Sequence, residues 1–174
     1  MNDASEALYE RARREIVGPF LRGNMKNQGT QGTRSLGEVF YTIGGISITV
    51  EQVMDLLLGA LEGGSNYWYY IPGFQEPSDM SKVPAGEFNS VELCAWSDGH
   101  IKICDKEAFY DHQSGNSQEE PQRWILNEEA MKKGLDLMHN QHIKHFADFV
   151  IGDGDANTAD VFLQMCLFGE LVYG

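Results

Sequence analysis

Basic side chains are what this 174-residue sequence has least of where it matters most. The chain carries 26 acidic residues against 13 lysines and arginines, a net charge of −13. The imbalance is uneven: residues 35–174 hold 22 of the acidic groups and 7 of the basic ones. Residues 35–81 contain no lysine or arginine at all, but do contain Glu38, Glu51, Asp55, Glu62, Glu76 and Asp79. A field of that sign repels nucleic acid, nucleotides and anionic membranes, and it attracts cationic surfaces. Direct nucleic-acid binding is therefore not expected. A pocket for an anionic small molecule would have to be assembled from Arg34, Lys82, Lys102, Lys106 and Arg123.

Other absences narrow the class further. No apolar run approaches the roughly 18 residues that span a bilayer. The opening MNDASEALYERARRE is charged and helical in character, unlike a secretory leader. Cysteines number three, which leaves no complete disulfide framework. Together these features lead to an expectation of a cytoplasmic protein with reduced thiols. GxSxG and HExxH are missing, and the glycine-bearing stretch at 23–37 lacks the Lys-Ser/Thr ending of a phosphate-binding loop. The carboxylates are scattered rather than paired. No catalytic residue and no cofactor is assigned.

What is present reads as a helical arm followed by one domain. Asp3 and Glu6 form a capping-box-like start to a helix at 3–17, with Leu8, Ala12 and Ile16 as its apolar stripe. Gly18-Pro19 ends it, and the glycine-rich stretch follows as a linker. The division is 1–36, helix and linker, and 37–174, a single acidic α+β domain. A strand is expected at 39–43. Thr49 then caps a helix at 50–62, with Gln52 closing the capping box and Gly63-Gly64 ending it. SNYWYYI (65–71) reads as a central strand covered on both faces, and 72–87 as a loop.

Strands at 89–96 and 101–106 are expected to form a hairpin around Asp98-Gly99. That register points Cys94 and Cys104 to opposite faces, so no disulfide is expected. A polar loop (111–121) and a strand (123–126) precede a helix capped by Asn127, with Met131, Leu135 and Met138 on one face. Helix resumes after Asn140 with Phe146, Phe149 and Val150 inward. A buried helix (158–168) and a short strand (171–173) close the chain. The expected fold is α+β: a small, mainly antiparallel sheet packed on three to four helices, with an N-terminal helical arm.

Three groups of residues invite a chemical reading. Asp153, Asp155, Asn157 and Asp160 resemble the opening of a calcium loop, but Thr158 stands where glycine is needed and Gln164 where glutamate is. Asp155 or Asn157 is instead expected to cap the last helix. His139, His142 and His145 fall at a helix interruption and read as exposed histidines. The aromatic run offers Tyr67 and Tyr69, and the helix before it offers Glu51, Asp55 and Glu62, as residues for binding a protein partner.

The stretches HFADFVIGDGDANTADVFLQMCLFGELVYG (145–174) and ITVEQVMDLLLGALEGGSNYWYYI (48–71) resemble a family of small uncharacterised proteins of tailed bacteriophages and prophages. The resemblance implies a phage context and supplies no mechanism. Context and charge together suggest a small acidic accessory protein, located in the host cytoplasm, that binds a host protein with a basic surface. It would inhibit a nucleic-acid-binding or defence system by presenting carboxylates where phosphates bind. The alternatives are a structural or regulatory homo-oligomer joined through residues 1–22, and a binder that sequesters a nucleotide or signal molecule.

Overall fold

The computed structural model describes residues 32–86, 88 and 90–174. The helix expected at 3–17 and most of the glycine-rich linker lie outside the described residues. The fold is α+β, with two small antiparallel sheets and six α-helices among the described residues. Its packing reaches back past Gly37. Thr33 donates twice to Ser81 O, and Arg34 N and O bond Val83 O and Ala85 N.

Strands β1 (Val39–Ile43) and β2 (Ile46–Thr49) form a hairpin. Its turn is Gly44-Gly45, with φ of +56° and +84°, the positive pair a type I′ turn requires. Phe40, Ile43 and Ile48 point into the core. Helix α1 (Val50–Gly59) starts directly from β2. Thr49 Oγ1 accepts from Gln52 N at 3.3 Å, and Gln52 Oε1 accepts from Thr49 N at 2.9 Å. The helix then widens into a π turn, Ala60–Gly64, where Gly64 lets the chain press against Ala156 O. Thr49→Ala removes the box and is expected to cost about 1 kcal/mol, measured as a fall in the urea midpoint at unchanged slope.

The second sheet has the order β3–β4–β5, made of Tyr69–Gln75, His100–Asp105 and Arg123–Leu126. Strand β4 is central, with Ile101, Ile103 and Cys104 buried. The aromatic run therefore opens an edge strand rather than a central one, and that strand extends into the expected loop as far as Gln75.

The expected 89–96/101–106 hairpin is absent. Residues Ser90–Leu93 form a single helical turn, α2, and successive tight turns lead through Trp96 to β4. Cys94, Ala95 and Trp96 are all buried. Three consecutive buried residues suit a turn inside the core, because a strand alternates its faces. Gly99 takes no positive φ; a Cβ there would stand 2.6 Å from Cys94 O and 2.9 Å from Gln75 O. Cys94, Cys104 and Cys166 form no disulfide.

Helix α3 (Lys106–Gln113) replaces the end of the expected strand and the start of the expected loop. Asp105 caps it through Ala108 N at 2.7 Å, and Phe109 stacks on Tyr70 with ring centroids 3.9 Å apart. Helix α4 (Glu128–Gln141) begins as expected, Asn127 Oδ1 accepting from Ala130 N at 2.9 Å, with Glu128 and Glu129 in the first turn. It buries Met131, Leu135 and Met138 and breaks at His142, where α5 (Ile143–Ile151) begins.

Helix α6 (Ala156–Leu167) is the centre of the helical layer, packed on α1, α4, α5 and β5. Every residue from Thr158 to Cys166 is buried. Beyond Gly169, at φ +80°, the chain forms no strand. The amides of Val172 and Tyr173 donate to Gln164 Oε1, each at 2.8 Å, and Gln164 Nε2 donates to Tyr173 O at 2.9 Å. One buried side-chain amide thus takes the place of a neighbouring strand.

Candidate partner-binding surface

Helix α1 divides its residues by face. Val50, Val53, Met54, Leu56 and Leu57 are buried, while Glu51, Asp55 and, in the π turn, Glu62 are exposed. At about 100° per residue, Glu51 and Asp55 lie about 40° apart around the helix, and Glu62 follows in the wider π turn. The axial separation of the first two is about 6 Å. This corresponds to about two steps of a nucleic-acid strand at 3.4 Å each. Among the described residues, neither Glu51 nor Asp55 has a cationic partner. Partial burial raises the Asp55 carboxyl above the usual range, and the Glu51 charge one turn away adds to the effect.

The chain passes from Glu62 through a turn, closed by Trp68 N to Ser65 O at 3.1 Å, into the aromatic run. Tyr67 is 52% exposed, with its hydroxyl donating to Asp160 Oδ2 at 3.1 Å. Tyr69 is buried, and its hydroxyl donates to Leu61 O at 2.6 Å. Tyr69 therefore ties the strand to the end of α1, and Tyr67 is the residue of the expected pair that faces solvent. Trp68 is buried between the turn and the C-terminal residues. Its Nε1 donates to Asp160 Oδ1 at 2.8 Å, and its ring stacks on Tyr173 at 4.7 Å and 5°. The Tyr173 hydroxyl donates to Asp105 Oδ2 at 2.6 Å; burial, then that bond, then the Asp105 charge raise its pKa well above the ordinary value.

The expected acidic loop disperses. Asp155 caps α6, accepting from Thr158 N at 2.9 Å, and that bond lowers its pKa. Asp160 is buried in the tryptophan network, and Asp153 and Asn157 are exposed. Among the described residues, no three His, Cys, Asp or Glu side chains stand close enough to hold a metal ion. The histidines also separate: His139 packs edge-on against Phe146, His142 marks the helix break, and His145 Nδ1 lies 3.1 Å from Thr158 Oγ1. Burial pushes the Cys94 and Cys104 thiols up to about 12 and about 11, and Cys166 well above its ordinary value. None is a thiolate at neutral pH, so none is an activated nucleophile.

Four of the five basic groups named for an anionic ligand already have partners. Arg34 and Lys82 line one open cleft of about 370 Å³, but Glu38 and Glu128 line it too. The Arg34 guanidinium is already engaged: it pairs with Glu128 at 2.7 Å and Glu38 at 3.3 Å, and lies over the rings of Phe40 and Trp96. Glu128 also accepts from Ser97 N at 2.9 Å and pairs with Lys132 at 3.5 Å. Lys82 pairs with Asp79 and Arg123 with Glu120, while Lys106 donates to Asn66 O.

Sequence reasoning missed the roles of the buried Gln164 and the half-buried Tyr173. The available signal was one amide in an otherwise apolar helix, since a buried amide needs partners. No family model, curated protein or solved structure matches this chain. Among the described residues, no helix is long and apolar enough to cross a membrane.

Proposed function

We propose that this protein is a phage-type accessory factor that binds a host protein through the acidic face of α1 and the adjoining Tyr67. It blocks a nucleic-acid-binding or defence system in the host cytoplasm. The observation that carries this reading is the pair Glu51 and Asp55, exposed on one side of a capped helix, with Glu62 exposed in the π turn that follows. Side chains that grip phosphates accept carboxylates by the same charge-assisted bonds. A cation arriving at Glu51 and Asp55 also relieves the repulsion between them. Tyr67 adds an aromatic anchor of the kind common at interfaces. Sequestration of a nucleotide has no comparable support, because four of the five cations it needs already have partners.

The test is a pull-down from host lysate at low and high salt, with the wild type and with Glu51→Lys/Asp55→Lys. The wild type is expected to capture a basic protein at low salt and to release it as salt screens the contact. The double variant is expected to weaken the complex by about tenfold or more. Equal capture by both proteins would remove α1 from the interface.

A further inference from the structure

Helix α5 has two apolar faces. Phe146 and Phe149 are buried against the core. On the solvent side, Ile143 is 61% and Ile151 68% exposed, the highest values among the exposed large hydrophobic residues described, and Ala147 between them is exposed as well. Large apolar groups left this exposed in a row call for an occupant.

We infer that the outer face of α5 is a self-docking surface, on which two copies of the chain pack antiparallel about a two-fold axis at Ala147. The stripe Ile143, Ala147, Ile151 reads the same in both directions at i, i+4, i+8 spacing. An antiparallel copy therefore sets Ile143 against Ile151 at both ends, as a self-complementary two-fold interface requires. A small residue at the crossing lets the two backbones approach, and ridges four residues apart interdigitate. Charge agrees with this arrangement. Lys144 and Asp148 flank the stripe, and neither has an ion-pair partner among the described residues. In the antiparallel pair, Lys144 of each copy comes beside Asp148 of the other.

The contact is short, so it belongs with the weak interfaces below about 1,200 Å². The net charge of −13 on each copy opposes it. Self-association should therefore strengthen with added salt, the reverse of the salt response expected for a basic partner. This distinguishes the two contacts experimentally.

The experiment is sedimentation equilibrium of the full chain from micromolar to millimolar concentration, at low and high salt. The wild type is expected to show a monomer–dimer equilibrium that shifts toward dimer in salt. Ala147→Glu and Ala147→Lys are both expected to be monomeric throughout, with unchanged circular dichroism. Lysine lowers the overall repulsion, so its failure to dimerise would trace the effect to the crossing point and not to net charge. A wild type that remains monomeric at millimolar concentration overturns the inference. So does a dimer that persists in both variants, or one that persists in them and disappears when residues 1–22 are removed, which would assign the contact to the arm.

Discussion

Alanine at position 160 is expected to lower the unfolding free energy by about 3–5 kcal/mol. The Asp160 carboxylate is 6% exposed and accepts from three side chains: Trp68 Nε1 at 2.8 Å, Gln164 Nε2 at 2.9 Å and Tyr67 Oη at 3.1 Å. Tyr67 can turn to water when the carboxylate is lost. Trp68 and Gln164 cannot, because both are buried, and each stranded donor costs about 1–3 kcal/mol. The damage spreads through Gln164, which holds the amides of Val172 and Tyr173. Urea unfolding measures the loss. Near-ultraviolet dichroism should also change, because the Trp68–Tyr173 stack depends on the same network. Asp160→Asn keeps the Trp68 acceptor and should recover part of the loss. A drop below about 1 kcal/mol for the alanine variant, the ordinary effect of a point change, would show that the carboxylate is not the hub described.

The second large effect concerns Gly134. Alanine in a helix interior normally stabilises by about 1 kcal/mol relative to glycine. Here the sign should reverse. A Cβ on Gly134 would fall on Cys166 Sγ and stand 3.0 Å from Cys166 N and 3.2 Å from its Cα. The thiol can rotate away, but the backbone of α6 cannot move without disturbing a helix buried on all sides. Gly134→Ala is expected to destabilise by about 2 kcal/mol or more. Adding Cys166→Ala should recover only the thiol's share. Thermal unfolding of the single and double variants checks both signs; a stabilised single variant would mean that α4 and α6 are not in close contact.

Elements with a local cause were legible in the sequence. Thr49 with Gln52 and Asn127 with Glu128 and Glu129 each announce a helix start and perform that role, and of the two caps offered for the last helix, Asp155 and Asn157, it is Asp155 that serves. Elements defined by distant pairing were not. Asp98-Gly99 has the residues of a hairpin turn, but β4 pairs with β3 and β5 instead. Helix α3 has little apolar periodicity and is held by the Asp105 cap and the Phe109–Tyr70 stack. Leu171-Val172-Tyr173 reads as a strand because its residues favour extended backbone, and only the structure reveals that its partner is a side chain, Gln164. For the candidate surface, the acids of α1 stood out as part of the stretch 35–81 that has no lysine or arginine. The inward turn of Tyr69 depends on the edge position of β3, which its own residues do not encode.

The central claim, that the α1 face stands in for phosphates, is tested most directly by competition. The protein captured in the pull-down is titrated with labelled nucleic acid at fixed, low salt, with and without this chain. Displacement of the nucleic acid is expected, and it should be lost in Glu51→Lys/Asp55→Lys. A ternary complex, with the partner holding nucleic acid and this chain together, would contradict it.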